Sequence, residues 1–135
     1  VIVLDTHVLI WIVRNDEKLG RNARTLIETA DTAGLIVPAF CAWELAQIER
    51  RQNLTFEGGV LKWFKRILAD PSFRLSPLVP EIAIGSVTLE WSHKDLADRI
   101  MVATAQHHGL PLMTADGPIL AYAAAGHVEA IDARR

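Results

Sequence analysis

Four acidic residues, Asp5, Glu44, Asp98 and Asp116, come from widely separated parts of the sequence, and each stands beside a segment able to aim it at common chemistry. Carboxylates brought within several ångströms of one another repel and raise one another's pKa. A divalent cation resolves that conflict, and oxygen-only ligands select a hard ion, Mg²⁺ or with similar chemistry Mn²⁺, over zinc. Such a site polarises a phosphoryl oxygen and activates water for in-line attack. Each acid also has an ordinary reading. Asp5 caps a following helix, Glu44 is a solvated helix residue, and Asp95 with Asp98 forms a capping pair three residues apart. Asp116-Gly117-Pro118 is a turn. Taken together, those readings leave unexplained why four acids point to one edge.

Other chemistries are poorly served. There is no G-x-G-x-x-G, no G-x-x-x-x-G-K-[ST] and no G-x-S-x-G, so nucleotide loops and a nucleophile elbow are excluded. Cys41 is the single cysteine and reads as a buried structural thiol. His93, His107 and His108 lack an H-x-x-x-H pair or a second cysteine, so they do not make a zinc site. The adjacent pair His107-His108 suits a helix C-terminus instead.

The elements that must position these acids follow from periodicity. Val1-Ile2-Val3-Leu4 is an all-apolar run ending at Asp5 and predicts a strand buried on both faces. Thr6 is expected to N-cap a helix through Val8, Leu9 and Ile12. A helix is predicted over 21–32, ended by Gly34. Leu35-Ile36-Val37 predicts a second buried strand, with Pro38 ending its pairing. Helices follow over 42–51 and around Val60, Trp63, Phe64 and Ile67. Phe73-Arg74-Leu75 is a weak strand, and Pro80 opens a helix over 81–90. The clearest helix runs over 95–108, with Ile100, Ala103 and His107 on one face, and stops at Gly109. Leu112-Met113-Thr114 is a further buried strand, and a last one is expected over 128–131. Strands separated by helices give an α/β domain with a mostly parallel sheet. Such sheets bind ligands beyond the carboxyl ends of their strands, where Asp5 and Asp116 lie.

The whole chain is 135 residues, 50% hydrophobic and 22% charged, so one domain over residues 1–135 with a sizeable core is expected and disorder is not. A single cysteine excludes a disulfide scaffold and fits a reducing, cytoplasmic setting. The longest early apolar run, Val8 to Val13, is too short to span a bilayer, and the opening lacks a basic lead, so no membrane partner or secretory signal is expected. The formal charge is −2, which alone argues against a nucleic-acid binder. Two divalent ions would reverse that sign. Residues 50–66 also gather Arg50, Arg51, Lys62, Lys65 and Arg66 against the lone acid Glu57. These are candidates for phosphate contacts or an ordinary solvated face. Trp63 and Phe64 are either core residues or a groove for a partner helix.

In four blocks the sequence resembles the PIN-domain ribonucleases, and among them the VapC-type toxins of toxin–antitoxin pairs. The blocks are Val3-Leu4-Asp5-Thr6-His7-Val8-Leu9-Ile10-Trp11, Trp43-Glu44-Leu45-Ala46, the run from His93 to Ala105, and Leu110-Pro111-Leu112-Met113-Thr114-Ala115-Asp116. They occur in the family's order and span almost the whole chain. Leu96 stands where the family motif often has proline, and Pro38 and Cys41 stand where it has small hydroxyl residues. The resemblance implies a three-layer α/β/α PIN-like domain and a type II toxin that cleaves RNA with Mg²⁺, leaving a 5′-phosphate and a 3′-hydroxyl. It carries catalytic roles onto Asp5, Glu44, Asp98 and Asp116, with Asp5, Asp98 and Asp116 holding the metal. Glu44 then orients or deprotonates water, Asp95 is the N-cap, and Thr6 and Thr114 fix carboxylate orientation. A homodimer and a cognate antitoxin that covers the site are further implications. The alternative is a catalytically silent module of the same fold that binds an antitoxin and, through it, operator DNA. A small phosphatase is a third reading, disfavoured because Asp5-Thr6-His7 is not a D-x-D pair.

Overall fold

Three short apolar runs form the centre of the sheet because nothing in them needs water. They are β1 (Ile2–Leu4), β2 (Leu35–Pro38) and β4 (Leu112–Thr114), and every residue in them is buried. The computed structural model describes residues 1–52 and 54–135. Around the central strands it places α1 (Thr6–Arg14), α2 (Arg21–Glu28), α3 (Phe40–Gln52), α4 (Val60–Leu68), β3 (Phe73–Ser76), α5 (Pro80–Thr88), α6 (Leu96–His108), α7 (Gly117–Ala124) and β5 (Ala130–Asp132). The sheet order is β3-β2-β1-β4-β5 and every pairing among the described residues is parallel. The result is the three-layer α/β/α arrangement expected of a PIN-like fold.

The register fixes where the site must be. Val3 lies beside Ile36 on one side and Leu112 on the other. From β1 the chain winds one way through β2 to β3, then returns to start β4 on the opposite side of β1. Strand order therefore reverses between β1 and β4, and the crevice beyond the carboxyl ends of these two strands is where a parallel α/β sheet opens to ligands. The Asp5 amide donates to the Met113 carbonyl at 3.0 Å, which ties the first residue after β1 to its neighbour. Beneath the crevice lies a core that includes Leu4, Leu9, Leu45, Met101, Met113 and Ile119, all essentially without exposure. A satellite cluster of Ile82, Ile100 and Ala103 joins α5 to α6. Trp63 and Phe64 belong to the main core, and Trp63 also lines a concavity of about 320 Å³ with Val13, Ile67 and Phe73.

Several boundaries differ from expectation for local reasons. Asp5, not Thr6, is the N-cap of α1; its carboxylate accepts the Thr6 N–H at 2.8 Å. Pro38 does not stop the pairing before it: it is the last residue of β2, paired with Ser76, and the next amide, Ala39, donates to the Ser76 carbonyl at 2.8 Å. Helix α2 stops at Glu28 rather than residue 32, as the Thr25 and Thr29 hydroxyls bond back to carbonyls four residues earlier. Helix α5 ends at Thr88, and β5 is shifted to 130–132. His107 is exposed rather than packed beside Ile100 and Ala103. Helix α7 was not expected at all. Among the described residues no helix is long and apolar enough to cross a membrane.

Candidate active site

The site is assembled from helix N-termini facing strand ends. Asp5 caps α1, Asp95 caps α6 and Asp116 caps α7, each with its side chain accepting a backbone N–H. Capping carboxylates sit at the positive ends of their helices, which is where the helix dipole favours negative charge. Glu44 lies one turn into α3 and Asp98 in the first turn of α6. Asp5, Glu44, Asp95, Asp98 and Asp116 line one cavity of about 360 Å³, with Trp11, His7 and Arg134 in its walls. The four acids singled out in the sequence are thus brought together, and Asp95 stands beside them while its carboxylate accepts the Asp98 N–H at 3.0 Å.

Two threonines set the carboxylate orientations. The Thr114 hydroxyl donates to Asp5 Oδ2 at 2.6 Å and accepts the Asp116 N–H at 3.0 Å, so one side chain links two acids. The Thr6 hydroxyl donates to Glu44 Oε1 at 2.5 Å. Both threonines are fully buried, so these bonds are shielded from water and hold their geometry.

Electrostatically the site is short of positive charge. Burial raises the Asp5 carboxyl above its ordinary range, against the lowering effect of the Thr114 and Thr6 bonds. Glu44 is pushed up to about 7, mainly by burial and further by Asp5, Asp98 and Asp95. Asp98 is also pushed up to about 7, by burial first and then by Asp116, Asp95 and Asp5, while its bond to His93 opposes the shift. Burial leads each shift, and the like charges of neighbouring carboxylates add to it.

His93 is the residue that sequence reasoning missed. Its Nε2 lies 2.6 Å from Asp98 Oδ2, and ligand atoms of His93, Asp98 and Asp116 fall within 4.8 Å of one another. That cluster suits a divalent cation, since hard carboxylate oxygens dominate the surrounding donors. The signal in the sequence is its position five residues before Asp98, at the head of the block from His93 to Ala105. His107 and His108 lie at the far end of α6, about 20 Å along its axis, and His108 instead shares a 2.8 Å hydrogen bond with Ser76. The His93 ring is braced by Trp91 at 4.7 Å between centroids. Its carbonyl accepts from Arg99 at 2.8 Å. Among the described residues Arg99 pairs with no carboxylate; it collects the carbonyls of Ser86, Val87, Leu89, Trp91 and His93 and fixes the segment carrying the histidine.

Arg134, the cation in the cavity wall, is held by a close backbone approach. A Cβ on Gly20 would come within 2.5 Å of the Arg134 carbonyl group. The Gly20 N–H donates to Ala133 and the Asn22 N–H to Arg135. Of the basic residues between 50 and 66, Arg66 turns back onto the Glu57 and Lys62 carbonyls, and Arg51 reaches a groove beside the acids. Cys41 is buried, with its thiol pushed far above its ordinary range by burial, so it is inert as a nucleophile.

Comparison with known proteins gives the family and the fold. The family described as PIN domain matches residues 2–125. A curated relative, Ribonuclease VapC22 of Mycobacterium tuberculosis, is 33% identical over 116 residues, covering 85% of this chain and 86% of that protein. Among solved structures, a toxin–antitoxin complex from Klebsiella pneumoniae aligns with a TM-score of 0.64 at 22% identity, over 98% of this chain and 97% of that one. FitAcB from Neisseria gonorrhoeae aligns with a TM-score of 0.69 at 19% identity, over the same shares. At those identities the two structures bear on the fold.

Proposed function

The chain belongs to the PIN domain family, with VapC-type proteins among its relatives, and from that premise we propose that it is a Mg²⁺-dependent endoribonuclease, the toxin of a type II toxin–antitoxin pair. One observation carries the proposal: Asp5, Glu44, Asp98 and Asp116, from four separate segments, line a single polar cavity at the switch point of the sheet.

The chemistry assigns a role to each side chain. Asp98 and Asp116, whose oxygens cluster with His93, would hold Mg²⁺ or in its place Mn²⁺, with Asp5 completing the set from the same cavity and His93 orienting Asp98. Bound there, a divalent ion stabilises charge on the phosphoryl oxygens and lowers the pKa of water. Glu44, whose carboxyl rests near neutrality, accepts the proton of the attacking water, the condition under which a general base works best. Water oxygen would bond to phosphorus as the bond from phosphorus to O3′ breaks, and the leaving O3′ would take its proton from solvent while Glu44 later releases its own to bulk water. The products are a 5′-phosphate and a 3′-hydroxyl. Thr6 and Thr114 keep Glu44 and Asp5 in place throughout, so little reorganisation is needed. RNA, a cognate antitoxin and a second copy of the chain are the proposed partners, in the cytoplasm.

The test is cleavage of RNA by the wild type and by Asp5→Asn, Asp98→Asn and Glu44→Gln, with Mg²⁺, with Mn²⁺ and with chelator. Cleavage is expected only with metal. Asp5→Asn and Asp98→Asn fall to background, and Glu44→Gln loses roughly 10²–10⁴-fold in kcat. Undiminished cleavage by either aspartate variant rejects the proposal and favours a silent module that only binds its partners.

A further inference from the structure

A second concavity of about 290 Å³ lies alongside the acidic cavity and shares His7, Glu44 and Asp95 with it. Its walls are the exposed face of α3, carrying Trp43, Gln47 and Arg51, and the start of α6 at Leu96. Residues 43, 47 and 51 are four apart and so fall in one row along the helix. We propose that this groove is a nucleobase subsite, in which Trp43 stacks an unpaired base of the RNA strand cut at the neighbouring acids and Arg51 contacts a phosphate of that strand. The proposal rests on the nuclease activity proposed above.

Three observations converge on it. Trp43 is 49% exposed and Leu96 54% exposed, although each faces a concavity rather than a convex surface. A base lying between an indole and an aliphatic side chain covers both. Trp43 is not loose, since its ring stacks on Phe40 with centroids 5.0 Å apart and planes 27° apart. A braced aromatic loses little freedom when a base settles on it, which is how stacking platforms for single strands are built. Arg51 makes no ion pair among the described residues, and it lies about 12 Å further along α3 than Trp43. The groove thus runs from the acids past an aromatic face to a free guanidinium. That sequence of groups matches a strand whose scissile phosphate is at the acids, with a base and then a further phosphate beyond it. A protein segment covering the acids would use the same apolar walls, but it carries no regularly spaced anion to meet Arg51, whereas a phosphodiester strand does.

The experiment is equilibrium binding of the full chain, with Ca²⁺ in place of Mg²⁺ and strand integrity verified on a gel, to a short unstructured oligoribonucleotide and to the same strand paired with its complement. Quenching of tryptophan fluorescence and anisotropy of a labelled strand are read in parallel. Trp43→Ala is expected to weaken binding of the single strand about 10-fold and to abolish most of the quenching. Trp43→Phe restores most of the affinity, and the duplex shows no dependence on residue 43. Arg51→Gln lowers the slope of log affinity against log salt by about 0.7. Since Trp43 is half exposed, its replacement leaves the fold intact, which circular dichroism checks. Unchanged single-strand affinity in Trp43→Ala overturns the subsite, and so does a loss confined to antitoxin binding. The two proposals fail separately. If the wild type cleaves RNA with metal and Trp43→Ala does so with unchanged KM, the nuclease stands and the subsite falls. If the wild type never cleaves but binds single strands through Trp43, the subsite stands and the nuclease falls.

Discussion

Asp98 and Glu44 show how strongly burial beside other carboxylates shapes a single side chain. Both carboxyls titrate near 7 in the folded chain, whereas the unfolded chain offers values near 4. Between about pH 4 and pH 7 the native state therefore holds protons that the unfolded state has released. Stability from these groups is fully present below the unfolded value and is lost as pH rises through the folded one. Asp5 is shifted in the same direction. In chelator, Tm is expected to fall as pH is raised from 5 to 7.5, and Asp98→Asn is expected to flatten that fall. Saturating Mn²⁺ or Mg²⁺ stabilises whichever state binds it, so the metal-induced rise in Tm is larger at pH 7.5 than at pH 5. Thermal unfolding at the two pH values, with and without metal, measures all of this. A metal-induced rise equal at both would mean that the ion binds elsewhere. At this scale the acids were legible in the sequence because strand ends and helix starts are marked by composition. His93 was not, because its role depends on which rotamer meets Asp98 across a loop, and no periodicity encodes that.

Elements, not residues, decide whether those side chains meet. The buried strands were readable because unbroken apolar runs have no other stable home, and α6 because its cap, its apolar spacing and Gly109 agree with one another. Helix α7 was missed because Asp116-Gly117-Pro118 has the composition of a turn. In the structure Asp116 is the N-cap, its carboxylate accepts the Ile119 N–H at 3.1 Å, and Pro118 sits in the first turn where it costs no hydrogen bond. The same three residues fit both outcomes; what selects the helix is burial of Ile119 and Tyr122 against the rest of the fold. Thr6 is a similar case: a good cap by type, displaced by Asp5, and thereby free to bond Glu44. The connection from α5 to α6 depends on Arg99, which gathers carbonyls from the last turn of α5 and from the segment up to His93. Helix C-termini leave carbonyls unpaired, and a planar fork with several donors satisfies more of them than an ammonium can. Arg99→Lys is expected to cost about 2 kcal/mol, within the range for bonds to a charged group. It is also expected to weaken metal binding measured by calorimetry, because His93 loses the anchor on its carbonyl. Loss of stability with metal affinity unchanged would show that the histidine holds its place without the arginine.

Taken as a whole, the molecule presents an apolar face of helix α5 to solvent. Helix α5 is apolar on more than one side: Ile82 is buried against Ile100 and Ala103, while Ile84 and Val87 are 64% and 76% exposed. The two exposed residues are three apart and share a face, and large exposed apolar surface on a chain of this size marks an interface more often than chance placement. The proposed homodimer gives that face an occupant. Isologous contact across a two-fold axis would set Ile84 and Val87 of one copy against the same helix of the other. Ile84→Lys combined with Val87→Glu is expected to convert a dimer to a monomer in analytical ultracentrifugation. Its thermal transition should stay close to the wild type at high dilution, since neither side chain contributes to the core. RNA cleavage per chain is the accompanying measurement. All four acids come from one chain and line one cavity, so a monomer that folds is expected to retain turnover. A monomer that folds but no longer cuts would mean that the second copy completes the surface along which RNA lies, and would move the substrate path from one protomer to the pair.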